Sequence, residues 1–100
     1  MGILKPLNRP VRVSMIIAYS SKLPEEEAAA IIYDEFKSTL MEMDVCIDKV
    51  VGRKDTSLES IRKLKGMSEK EAFSYLVDLL KRSLLKLGVD RSLIRALRFE

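Results

Sequence analysis

Between Glu25 and Val51 the chain runs through 27 residues without a glycine or a proline. Nothing in the backbone itself therefore says where a helix begun at Glu25 must stop. Ala29, Ile32, Phe36, Leu40 and Met43 recur at spacings of three and four, and Ile47 and Val50 keep that register. A helix continued to Val51 would be roughly 42 Å long at 1.5 Å per residue, longer than a compact domain of this size is wide. Val45, Ile47, Val50 and Val51 are β-branched, which favours a strand. The expectation is a helix over Leu23–Met43 that stops near Asp44, followed by a strand over Val45–Arg53. Pro24 and the run Glu25, Glu26 and Glu27 mark the helix start, with negative charge at the positive end of the dipole.

The rest of the chain is read against that break. Met1 to Pro10, interrupted by Pro6 and Pro10, reads as an extended basic arm that could lie across a partner. Residues 11–100 read as a single domain, with no low-complexity linker or internal repeat. Over Val11–Ser20, the residues Val11, Val13, Met15, Ile17 and Tyr19 alternate with a more polar set, which predicts a strand. Residues 56–64 are ambiguous. Thr56 and Glu59 have capping-box spacing for a short helix, yet the segment also suits a third strand. Ser68 and Glu71 form a second capping box, with Met67 and Ala72 placed as a hydrophobic staple. The helix they start carries Phe73, Leu76, Leu80, Leu84 and Leu87 on one face, and Gly88 ends it. Val89–Phe99 suits a closing strand, or a helix capped by Asp90 with Arg91, Arg95 and Arg98 on one basic face. Together these elements predict an α+β, ferredoxin-like β-α-β-β-α-β sandwich, with an all-α helical bundle as the alternative.

Several functional classes lose support from what the chain lacks. There is no histidine, hence no imidazole base or ligand, and no phosphate-loop pattern among glycines scattered at positions 2, 52, 66 and 88. Cys46, flanked by Asp44 and Asp48, has its thiol disfavoured as a thiolate and reads as a small core residue. Those two aspartates alone are too few to hold a metal. The expectation is no enzyme, no cofactor and no metal site. Apolar runs such as Met15–Ala18 are far too short to span a bilayer, and a single cysteine fits a reducing compartment, so a cytoplasmic protein is expected.

Charge supplies the remaining clue. Residues 1–52 carry a net −2 and residues 53–100 a net +5. Arg53, Lys54, Lys81, Arg82, Lys86, Arg91, Arg95 and Arg98 are the candidate contacts to RNA or DNA, although Asp78 and Arg82 stand four apart as an intrahelical pair would. The leading functional expectation is a small accessory or interaction module, a homo-oligomer or a subunit of a larger complex, docking through sheet edges or faces that would include Ile16, Ala18 and Val50. Nucleic-acid or ribonucleoprotein binding through the basic half is the alternative. The absence of glutamine and tryptophan, one asparagine and abundant charge give a thermophilic, archaeal-type composition. It predicts a thermal midpoint above about 80 °C in dilute neutral buffer, which calorimetry checks; a reversible transition near 55 °C would remove that reading.

Overall fold

A computed structural model of the chain describes residues 4–45 and 54–100, with side chains from residue 58 onward in the second stretch. The described residues form five helices: α1 (Val13–Ser20), α2 (Glu25–Glu42), α3 (Lys54–Leu64), α4 (Glu69–Lys86) and α5 (Arg91–Arg95). The ferredoxin-like α+β expectation is thereby corrected to its all-α alternative. The sole β feature among the described residues is an isolated parallel bridge between Val11 and Phe99. α2 packs along α3, α1 touches both α2 and α4, and α5 rests on α4.

Each corrected element has a local reason. Val11–Ser20 alternates as a strand would, but Val13 and Ile16, one helical turn apart, are the fully buried pair of α1. The helix has no side-chain N-cap. Its first amides, those of Val13 and Ser14, donate instead to the Glu100 main-chain oxygen, both at 2.8 Å. The bridge that positions this cap runs from Val11 N–H to Arg98 O at 2.8 Å and from Glu100 N–H to Val11 O at 2.9 Å. In α3 the apolar positions Leu58, Ile61 and Leu64 line up at threes against the core, and position 56 falls within the helix. Val89–Phe99 is α5 and a short tail, with Asp90 Oδ1 accepting from Ser92 N–H at 3.2 Å as the helical reading required. The expected strand Val45–Arg53 and Cys46 lie, apart from Val45, outside the described residues.

The helix begun at Glu25 does end where expected, and the device that ends it is visible. Asp44 adopts a left-handed conformation with φ 59°. Val45 N–H donates to Leu40 O at 2.9 Å and Asp44 N–H to Met41 O at 3.1 Å. That is a Schellman closure, with Val45 and Leu40 both buried as its apolar clasp. α4 ends in the same way. Gly88 has φ 83°, Val89 N–H donates to Leu84 O and Gly88 N–H to Leu85 O, both at 3.0 Å, and Val89 and Leu84 are buried. The likeness extends along both helices, each of 18 residues. Glu25, Glu27, Ala28, Asp34, Lys37, Leu40 and Val45 recur in step as Glu69, Glu71, Ala72, Asp78, Lys81, Leu84 and Val89.

The core runs along Ala72, Leu76, Leu80 and Leu84 of α4 and along Ala28, Ile32, Leu40 and Met43 of the α2 segment. α4 starts on the Ser68 hydroxyl, which accepts from Glu71 N–H at 3.2 Å, the capping contact expected there. In α2 one buried position is charged. Glu35 is only 3% exposed. Its Oε1 accepts from Arg9 Nη1 at 2.7 Å and from Arg12 N–H at 3.2 Å, and its Oε2 accepts from Arg12 Nη2 at 2.9 Å. Arg9 Nε also donates to Glu42 Oε2 at 2.8 Å, Lys5 N–H to Met43 O at 3.0 Å, and Leu4 and Leu7 pack on the core. The basic arm therefore lies along its own α2.

Two predictions follow from these contacts. Burial alone would raise the Glu35 carboxyl, but the hydrogen bonds from Arg9 and Arg12 outweigh it and hold the group below the ordinary glutamate value of 4.5. A depressed carboxylate stabilises the fold above that value, and the contribution is lost as pH falls through the lowered one. Glu35→Gln should cost about 1–3 kcal/mol by urea unfolding at pH 7, and the gap to the parent should narrow at pH 3. A constant gap would show that the charge is not what matters. Gly88→Ala should cost about 1–2 kcal/mol, because the left-handed backbone disfavours a side chain although nothing lies within 4 Å of the added Cβ.

Candidate functional site

The second half of α4, α5 and the tail carry six of the eight basic residues singled out in the sequence. Lys81, Arg82 and Lys86 project from α4, Arg91 and Arg95 stand one turn apart on α5, and Arg98 follows in the tail. The sequence builds this end from local signals. Gly88 turns the chain out of α4, Asp90 caps the next helix, and buried Ile94 with half-buried Leu93 and Leu97 pins α5 to the core. The polar positions between those anchors face solvent: Arg82, Lys86, Arg91, Arg95 and Arg98 are all exposed.

Their partners are few. The Lys81 ammonium lies 5.6 Å from the centroid of the Phe99 ring, a cation–π contact that ties α4 to the tail. Arg98 Nη2 donates to Asn8 O at 3.4 Å. Arg82 Nε donates to the Asp78 main-chain oxygen at 3.4 Å and makes no ion pair with the Asp78 carboxylate, which corrects the intrahelical pairing expected from their spacing. None of the six forms an ion pair among the described residues.

Elsewhere the cations are mostly neutralised. Lys5 pairs with Asp44 at 3.2 Å, Arg9 and Arg12 with Glu35, and Lys63 with Glu59 at 3.5 Å. Arg62 and Lys65 both reach Glu25, whose carboxyl is held down in pKa chiefly by the Lys65 hydrogen bond. The first residue of the acidic run at the start of α2 thus holds α3 as well as opening its own helix. Lys86 and Arg95 occupy last helical turns, where the dipole favours a cation, but Arg91 opens α5, where it does not. Helix electrostatics therefore account for only part of the cluster.

The other sequence candidates do not join it. Arg53 lies outside the described residues. Lys54 is the first residue of α3 and nothing is described of its side chain. Asp44 is engaged by Lys5, and Asp48 lies outside the described residues. No group of three or more histidine, cysteine, aspartate or glutamate side chains suited to a metal ion occurs among the described residues. None of the described helices is long and apolar enough to cross a membrane.

Sequence reasoning missed a second feature on the opposite end of α4. A groove of about 460 Å³ runs between α1, the end of α3 and the start of α4, lined by Ile17, Ala18, Leu23, Leu64 and Met67 among others. A second, of about 520 Å³, adjoins it along Ile17, Ala18 and Glu69 and reaches Lys70 and Phe73. Its signal in the sequence was the absence of any charged residue from Val13 to Ser21 in a chain that is 33% charged. No protein-family model, no curated protein and no solved structure matches this chain.

Proposed function

We propose that the chain is a small non-catalytic interaction module that binds nucleic acid through the phosphate backbone, using Lys81, Arg82, Lys86, Arg91, Arg95 and Arg98. The observation that carries this reading is the contrast in pairing: these six cations have no acidic partner among the described residues, whereas six of the nine described cations before them do. Unpaired, solvated arginine and lysine close together are what counterion release from phosphates requires. α5, with five residues, offers little surface to a groove, and the Phe99 ring is already engaged by Lys81. Binding of the backbone without base readout fits both facts.

The reading in which docking through a sheet edge comes first loses its surface. Among the described residues no sheet forms, and Ile16, one of the residues assigned to that face, is fully buried. Membership of a larger cytoplasmic complex, or association with further copies of the chain, is compatible with nucleic-acid binding, because the grooves beside α1 lie at the start of α4 and the cations at its end. The test is fluorescence anisotropy with a labelled 20-nucleotide single strand and a 20-base-pair duplex across a salt series. Affinity should fall with a log–log slope of about −3 to −5 for four to six phosphates, and each of Arg91→Ala, Arg95→Ala and Arg98→Ala should reduce that slope by about 1. No binding to either probe at low salt would overturn the proposal.

A further inference from the structure

The paired grooves beside α1 suggest a second surface, independent of the cationic end. α1 is an eight-residue helix with six apolar or aromatic residues and no charge, yet only Val13 and Ile16 are buried. On its outward flank Ile17 and Ala18 line both grooves and Ser14 the second; Met67 and Leu64 face them across the first groove and Phe73 across the second. Around this uncharged floor the rim carries Glu69 and Lys70, neighbours in the first turns of α4. Both are exposed and neither forms an ion pair among the described residues. The third charged residue of the lining, Lys65, is taken up by Glu25, so a phosphate chain finds one unpaired lysine beside one unpaired glutamate.

We infer that this face binds a second copy of the chain about a twofold axis. The charge pattern selects the occupant. In an isologous contact the same patch meets itself, so a rim holding one unpaired acid beside one unpaired base supplies both halves of two symmetry-related ion pairs. Ile17, Ala18 and Glu69 are common to both grooves and mark the middle of the face. With the axis there and the two α1 helices antiparallel, Glu69 of each copy faces Lys70 of the other. Ala18, exposed and small, lets the two α1 helices approach, and the apolar walls from Ile17 to Phe73 are removed from water on both copies.

Sedimentation velocity on the full chain across about 1–500 µM should show a reversible monomer–dimer equilibrium. Ala18→Arg, at an exposed position, should raise the dimer Kd by about 100-fold or more, and Lys70→Glu by about tenfold. Lys70→Glu places an acid in the first turn of α4, where the dipole favours it, so weaker association in that variant cannot be blamed on a damaged fold. The double exchange Glu69→Lys with Lys70→Glu should restore affinity to within about threefold of the parent. Circular dichroism accompanies each variant to confirm helix content. A monomer throughout that range would overturn the inference. So would a dimer indifferent to Ala18→Arg, or one dissociated instead by Leu85→Ser or Met41→Ser, the exposed apolar positions on other faces.

Discussion

A carboxylate placed in a protein interior must be met by cations or hydrogen-bond donors, and Glu35 is the point where this chain accepts that condition. Its position on the buried side of α2, in line with Ile32 and Thr39, would ordinarily belong to an apolar residue. Filling it with a charge obliges Arg9 and Arg12 to come to it, and they bring the arm with them. Once Arg12 is anchored, Val11 has little freedom, and it lies where the main chain of Arg98 and Glu100 can pair with it. The tail so held supplies the oxygen that caps α1 and the ring that receives Lys81. An apolar residue at position 35 would leave Arg12 without this anchor and Arg9 with Glu42 alone. The ion pair contributes specificity at least as much as stability.

How far the sequence carried the fold depends on how local the deciding contact was. The start of α4 at Ser68, its end at Gly88 and the cap at Asp90, one of two readings of that segment, involve partners within five residues and were readable, as was the periodic leucine stripe between them. The stop near Asp44 was readable too, though the length argument was the weaker support, because the molecule measures 40 Å along its longest axis. The Schellman closure through Leu40 and Val45 settles it. Val11–Ser20 was misread because its β-branched residues alternate plausibly and because the group that caps its helix, the Glu100 oxygen, lies at the other end of the sequence. The same distinction governs the site. The basic residues were legible by position, but whether each one is neutralised was not. Asp78 and Arg82, four apart, do not form an ion pair, whereas Lys65 and Glu25, forty apart, do.

α2 and α4 share a construction but not a charge pattern. Both helices open on glutamates, bury a stripe of small and aliphatic side chains and close on a left-handed residue. Their flanks differ. α2 turns acids toward the chain's own cations, so Glu25, Glu35 and Glu42 are all consumed internally. α4 carries Leu80 and Lys86 where α2 has Phe36 and Glu42, and its Arg82 and Lys86 are left to solvent. Both helices carry the core, but α2 spends its acids inside the molecule, whereas Arg82 and Lys86 of α4 meet solvent.

The cap on α1 also has a temporal side. Most helices acquire the partners of their terminal amides from residues a few places away, almost as soon as those residues exist. α1 leaves the ribosome well before the atom that satisfies Val13 and Ser14, which belongs to residue 100. Until that residue has emerged, α1 is a short uncharged segment with apolar side chains and unpaired amides, the kind that chaperones hold and that strays into wrong contacts. The high sequence separation of this closure also delays it in refolding of the whole chain, since most of the polypeptide must be ordered before it can form. α1 is thus made early and finished late.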